Sequence, residues 1–238
     1  MNDIRFQRQL TYILVVSIVV LILAVSIFRK NQSAEIKYIQ LLMGTVVEIT
    51  LYGNDEQLLK LASDAGFEEI KRLEALMSHY KDGSDVARIN KYAGIEYVKV
   101  SQETIDVIET AKKASEMSSG SFDITMGVLG KVWHFTKDDK GEPVPPEKYE
   151  VETLLPLIDY QQIIIDRNSN TVKLGRKGMR INLGGIAKGY IVSKAVEKIK
   201  SKGIKKGIIH AGGDMFVFNE SDNKPFKIGI QHPREKDK

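Results

Sequence analysis

The stretch from Arg180 to Lys200 constrains the fold most, because its sequence predicts a short apolar strand that turns through Gly184-Gly185 into a helix. Glycine permits positive φ and lets a backbone approach a ligand closely. From Tyr190 onward, apolar residues recur at helical spacing, while lysines and a glutamate lie mainly on the other face. We therefore predict that a helix begins near Ala187 or Lys188.

The first turn of this predicted helix is suited to an anion. Backbone N–H groups and the positive end of the helix dipole are exposed at such a position, and Lys188 adds a full positive charge. The stretch matches neither a Walker loop nor the dinucleotide-binding glycine pattern. Two interpretations stay open: a phosphate or pyrophosphate site, and an ordinary glycine-containing connection with a solvated lysine.

Residues 10–28 form an uncharged run rich in Leu, Ile and Val. At about 1.5 Å per residue, such a helix crosses a hydrocarbon core of about 30 Å. We predict a cytoplasmic tail over residues 1–9, a transmembrane anchor over 10–28, a polar tether over 29–40 and one globular domain over 41–238. Basic residues flank the run on both sides, so charge alone does not orient it.

The composition excludes several function classes. The chain has 35 Lys plus Arg against 31 Asp plus Glu, a mild excess that does not indicate nucleic acid as a partner. It contains no cysteine, so disulfides and lipid attachment through Cys are excluded. The four histidines lack metal-ligand spacing, and no Gly-x-Ser-x-Gly pattern occurs, so zinc hydrolysis and serine acyl transfer are not expected.

The segment Thr45 to Tyr52 alternates, with Val47, Ile49 and Leu51 on one face, and is predicted to form a half-exposed strand. Met43 and Gly44 lead into it.

A long helix is predicted next, with Asn54 and Gln57 as its N-terminal capping arrangement and apolar residues at spacings of three and four as far as Met77. A polar turn over residues 78–85 follows. Tyr80 in this turn could cover a ring, donate a hydrogen bond or close the core.

Ser101 is a predicted cap for a second helix, which ends at Gly120. The compact polar segment after it has two interpretations. Asp123 and Thr125 are spaced to bond the backbone N–H groups of their own turn. Alternatively, Ser121 and Asp123 fix a polar ring or sugar of a ligand.

Strand patterns surround the glycine stretch. Gln161–Asp166 and Thr171–Leu174 are predicted to form a hairpin. Gly207–Ala211, Met215–Phe218 and Phe226–Gln231 are predicted as three further strands. Strands flank the glycine turn and helices occupy the middle of the chain, so an α+β domain of mainly antiparallel sheets is expected rather than regular βαβ alternation.

Six segments together resemble the ApbE family of FAD:protein FMN transferases, and the resemblance covers nearly everything after residue 40. In chain order they are Met43-Gly44-Thr45, Tyr80, Ser121-Phe122-Asp123-Ile124-Thr125, Asn182 to Tyr190, His210-Ala211-Gly212-Gly213-Asp214, and Ile228-Gly229-Ile230 with Pro233.

The resemblance implies a bacterial extracytoplasmic enzyme that splits FAD with Mg2+, transfers FMN to a Thr or Ser hydroxyl of a target protein and releases AMP. It implies a backbone carbonyl at Gly185 or Ala187 as one Mg2+ ligand. The implied FAD site consists of seven residues: Met43, Tyr80, Ser121, Phe122, Asp123, Asn182 and Lys188.

The chain departs from the family pattern in two places. The family continues for on the order of a hundred residues, with a His-x-Ile-Asp-Pro segment and the Asp and Thr that complete its metal site, whereas this chain ends at Lys238. The remaining metal ligands and a catalytic residue are therefore expected outside this chain, which by itself is expected not to transfer FMN. Asn182 also stands where many relatives carry Asp. The alternatives are a membrane-tethered flavin-nucleotide-binding protein without catalysis, an inactive fragment and, more narrowly, an FAD pyrophosphatase in which water replaces the acceptor.

Overall fold

The computed structural model describes residues 14, 16–21, 34–133, 145–221, 225–229 and 234. Within them, two antiparallel sheets are packed with helices, so the predicted α+β class is confirmed. The strands are β1 Ala34–Leu42, β2 Thr45–Gly53, β3 Val98–Lys99, β4 Ile163–Asp166, β5 Thr171–Leu174, β6 Lys206–Ala211 and β7 Asp214–Asn219. The helices are α1 Glu56–Met77, α2 Asp85–Lys91, α3 Gln102–Met117, α4 Lys148–Leu154 and α5 Ala187–Lys200. Short 3-10 helices lie at Gly127–Lys131, Leu155–Leu157 and Tyr160–Gln162.

The larger sheet has the order β1-β2-β6-β7 and forms one wall of the core. Val47, Ile49 and Leu51 of β2 are buried, as their alternation predicts. Helices α1 and α5 pack against each other, and α1 also contacts β1 and β2. Gly66 of α1 permits this close packing, because a Cβ there would lie 2.8 Å from the tip of Ile199 on α5.

The predicted tether over residues 29–40 is wrong from Ala34 onward. Residues 34–42 pair with β2 in an antiparallel hairpin, in which Ala34 faces Gly53 and Leu42 faces Thr45. Alternate side chains of β1, including Ile36 and Tyr38, pack against the core. The residues between them face outward, and the charged pair Glu35 and Lys37 among them made the strand resemble a tether.

Residues 16–21 are helical and exposed, and most of the predicted transmembrane run 10–28 lies outside the described residues. No helix in the described part of the chain is long and apolar enough to cross a membrane.

Two further predictions need correction. The cap of α1 is Asp55 rather than Asn54, because the Asp55 side chain accepts a hydrogen bond from the Leu58 N–H at 3.0 Å. Residues 225–229 are not a strand, and the rest of the strand predicted over Phe226–Gln231 lies outside the described residues. The hairpin β4–β5 and the pair β6–β7 are confirmed.

Candidate functional site

A cleft of about 350 Å³ lies where three connections meet: the β1–β2 turn, the turn after α1, and the glycine turn with the first turns of α5. Its lining includes four of the predicted FAD-site residues: Met43, Tyr80, Asn182 and Lys188. Its volume is at the lower end of the range typical of small-molecule sites. The fold therefore brings together residues that are far apart in the sequence.

Met43 and Gly44 form the two-residue turn of the β1–β2 hairpin, with φ of 52° and 68°. Positive φ at both central positions is typical of a type I′ hairpin turn, in which Asn-Gly is usual. An unbranched apolar residue rarely adopts this conformation. Met43 tolerates it while its side chain packs against the core at the edge of the cleft.

The segment before the glycine turn is not the strand that the sequence predicts. It is an extended stretch, held by an isolated parallel bridge between Arg180 and Met126 and by the side chain of Asn90. The Asn90 amide donates to the Ile181 carbonyl at 3.0 Å and accepts from the Ile181 N–H at 2.7 Å. A single side chain thus replaces the backbone partner that a neighbouring strand would supply.

The glycine turn itself is closed by Asn182, whose side-chain oxygen accepts from the Gly184 N–H at 2.8 Å. Neither Gly184 nor Gly185 has a positive φ, so that part of the expectation for these glycines is wrong. Gly185 instead packs closely on Phe122, because a Cβ on Gly185 would lie 3.3 Å from the Phe122 ring. Helix α5 begins at Ala187, as predicted, and no side chain caps it.

Lys188 lies in the first turn of α5 and forms an ion pair with Asp214 across 3.6 Å. Asp214 follows the Gly212-Gly213 turn between β6 and β7, where φ is 57° and 102°. The Lys188 side chain is less exposed than that of Asp214, at 29% against 55%. The ammonium group is therefore held at the cleft by a carboxylate that water reaches.

The turn after α1 supplies the opposite wall. Tyr80 is 85% exposed, and its ring centroid lies 3.8 Å from that of His79. Burial lowers the pKa of His79, and the charge of Arg180 lowers it further. Glu74 and Lys81, which also line the cleft, form their own ion pair at 3.2 Å.

Ser121, Phe122 and Asp123 do not line this cleft. Asp123 is buried, and its carboxylate accepts hydrogen bonds from the Thr125 N–H at 2.8 Å, the Thr125 hydroxyl at 2.6 Å and the Tyr160 N–H at 2.9 Å. Of the two interpretations of this segment, the geometry matches the one in which Asp123 and Thr125 bond backbone N–H groups. Phe122 lies behind the cleft against Gly185, and Ser121 is exposed.

Sequence reasoning missed His79, Glu74 and Lys81 as cleft residues and Asn90 as the support of the glycine turn. The polar turn around Tyr80 was the available signal for His79 and Lys81, whereas Glu74 lies in α1. Asn90 carried no signal, because its partner is a backbone segment that is distant in the sequence.

The ApbE family model matches residues 43–238. This chain belongs to the ApbE family. Among curated proteins, it is 32% identical over 196 residues to the FAD:protein FMN transferase of Klebsiella pneumoniae, covering 82% of this chain and 58% of that protein. It is 26% identical to the FAD:protein FMN transferase of Treponema pallidum, covering 75% of this chain and 50% of that one. The chain thus spans about half the length of these ApbE relatives.

Solved structures agree with this membership. The ApbE protein of Thermotoga maritima is 30% identical and superposes with a TM-score of 0.76, covering 86% of this chain and 65% of that chain. The flavin transferase ApbE of Vibrio cholerae, at 24% identity and a TM-score of 0.73, shares the fold.

Proposed function

We propose that this chain forms the FAD-binding part of a flavin transferase, in which the FMN half of FAD passes to a threonine or serine hydroxyl of a target protein and AMP is released. The observation that carries the proposal is the cleft, which gathers Met43, Tyr80, Asn182 and Lys188 at the uncapped start of α5. ApbE relatives named FAD:protein FMN transferase support the choice of substrate.

The proposed reaction is a phosphoryl-group transfer. The acceptor oxygen forms a bond to the FMN-side phosphorus, the bond from that phosphorus to the bridging oxygen breaks, and the bridging oxygen leaves with AMP. The hydroxyl proton passes to a base that we do not assign in this chain. Lys188 neutralises charge on the pyrophosphate, which stabilises the transition state.

The other residues bind and position. Tyr80 provides an exposed ring that covers the flavin. Met43 provides an apolar edge, and Asn182 keeps the glycine turn closed. Phe122 supports that turn from behind, while Ser121 and Asp123 belong to the loop that carries Phe122.

Magnesium, which the resemblance implies, does not fit the described residues by themselves. Mg2+ requires near-octahedral oxygen coordination. The described part of the chain contains no group of three or more His, Asp or Glu side chains that could hold a metal. A backbone carbonyl of Gly185 or Ala187 would provide one ligand, and the resemblance implies an Asp and a Thr as further ligands.

A second candidate function is flavin-nucleotide binding without transfer, because the described residues of this chain form the cleft by themselves. Mass spectrometry of an acceptor protein incubated with this chain, FAD and Mg2+ separates the two candidates. An FMN adduct on the acceptor supports transfer by this chain. FAD binding without an adduct supports the second candidate.

The binding site is tested by comparing two lysines of α5. Lys188→Ala should weaken FAD binding about tenfold or more, because a charge-assisted bond to phosphate contributes about 1.5–3 kcal/mol. Lys198→Ala is the matched control, about 15 Å away along the same helix at 1.5 Å per residue. Equal effects of the two substitutions in an FAD titration would show that the phosphate does not bind at the glycine turn.

We also propose that residues 10–28 anchor the chain in the bacterial cell membrane with the domain on the extracytoplasmic side. The apolar run and the family resemblance support this location. Protease added to intact spheroplasts should digest the domain, and complete protection would contradict the proposal.

A further inference from the structure

The ion pair between Lys188 and Asp214 occupies the position at which the proposed site would hold phosphate. Its nitrogen-to-oxygen distance is 3.6 Å. Asp214 follows a turn that packs closely on β2, since a Cβ on Gly212 would lie 2.3 Å from the Thr45 hydroxyl. This contact fixes the place of the Asp214 backbone, from which the carboxylate reaches Lys188.

Of the two lysines that line the cleft, Lys81 and Lys188, Lys188 has the more exposed counter-ion. Glu74 is already matched by Lys81 at 3.2 Å, and the Glu74 side chain is 15% exposed. Asp214 is 55% exposed and can turn into water. A phosphate that contacts the Lys188 ammonium would stand beside the Asp214 carboxylate, and two like charges at that separation repel each other.

We propose that Asp214 is the internal counter-ion of the phosphate site, which an incoming nucleotide phosphate displaces from Lys188. The competition makes Asp214 a specificity-determining residue. A phosphate ester or pyrophosphate has enough charge to replace the carboxylate, whereas a neutral flavin gains nothing from Lys188. This inference rests on the proposed FAD site.

The opposite end of α5 provides a matched control. Lys200 forms an ion pair with Glu220, whose side chain is also 55% exposed. Both pairs connect α5 to an end of strand β7. Lys188 lines the cleft and brings Asp214 to its edge, whereas neither Lys200 nor Glu220 lines it. Removing either carboxylate deletes one exposed ion pair, so a difference between the two variants reports on the cleft.

The test uses the full chain, purified in a mild detergent and kept in EDTA so that no divalent cation bridges the carboxylate and the phosphate. FAD and riboflavin are the probes, and binding is followed by flavin fluorescence. Asp214→Asn should tighten FAD binding by about three- to tenfold, since it removes both the competing pair and the repulsion. Riboflavin binding should not change. Glu220→Gln should leave both affinities unchanged, and Asp214→Glu, which keeps the charge, should behave like the wild type.

Several results would overturn the inference. FAD affinity that is unchanged or weaker in Asp214→Asn would show that the carboxylate does not compete with phosphate. An equal gain for riboflavin would show that the substitution reshaped the cleft. In both cases FAD binding that depends on Lys188 would leave the proposed function intact. If no variant binds FAD, or if Lys188→Ala has no effect, the proposed function fails and this inference fails with it.

Discussion

The Asp123 loop, residues 121–125, and the glycine turn, residues 182–188, both come from motifs of the ApbE family, but their polar groups have different partners. Three donors from inside the protein surround the buried carboxylate of Asp123. At the glycine turn, Lys188 is paired only with an exposed carboxylate among the ion pairs of the described residues. A buried polar group whose hydrogen bonds are all made inside the protein stabilises the fold. A charged group whose partner is exposed to water can exchange that partner for a ligand.

The two regions also contact each other. The Asn182 N–H donates to the Ile124 carbonyl at 2.9 Å. Gly127 packs so closely on the backbone of residues 180–182 that a Cβ would lie 2.7 Å from the Ile181 carbonyl carbon. The Asp123 loop therefore supports the glycine turn, and its effect on a ligand is expected to be indirect.

The largest expected effect comes from Asp123→Ala. Removing the carboxylate leaves buried donors without an acceptor, and we expect the free energy of unfolding to fall by about 3–5 kcal/mol. Urea denaturation measures this change. Ser121→Ala, in the same loop but exposed, is the control and should change stability by less than about 0.5 kcal/mol. A fully stable Asp123→Ala variant that no longer binds FAD would break the comparison, since Asp123 would then be a ligand-binding group.

Gly127→Ala tests the contact between the two regions. The added methyl group would meet backbone atoms of residues 180–182, so we expect a loss of about 1–3 kcal/mol in the free energy of unfolding. FAD affinity should fall as well, because the backbone of Asn182 is displaced. Gly130→Ala is a close control, since Gly130 lies in the same 3-10 helix with nothing within 4 Å of its Cβ position. Equal stability and equal FAD affinity of the two variants would show that the support is not needed.

The smallest expected effect concerns His79 at the edge of the cleft. Its pKa in the folded protein is lowered, first by burial and then by Arg180, so below the ordinary value of about 6.5 the unfolded chain binds the proton more readily. This histidine therefore contributes stability at neutral pH that is lost as the pH falls from about 6.5 toward its folded pKa. His79→Gln should lose less stability than the wild type between about pH 7.5 and 5, as measured by urea denaturation. Identical dependence of stability on pH in the two proteins would show that His79 is solvated in the folded protein as it is in the unfolded chain.

Local patterns predicted much of the fold. The sequence predicted the alternation in β2, the apolar stripe of α1 and the start of α5 at Ala187, because each depends on residues within a few positions along the chain. Strand β1 was missed, because Glu35, Lys37 and Gln40 make its sequence resemble a polar tether until β2 is placed beside it.

The sequence by itself determined the ApbE family, the α+β class and the residues worth testing, because motif order, periodicity and turn chemistry are written along the chain. The tertiary structure decided which of those residues share one cleft. Only the packing of the chain showed that donors inside the protein satisfy the Asp123 carboxylate. It also showed that Asn90 bonds Ile181 where a strand would, and that Asp214 pairs with Lys188. A hydrogen bond or an ion pair between residues distant in the sequence depends on where two elements meet in space, and neither partner's local sequence encodes that meeting point.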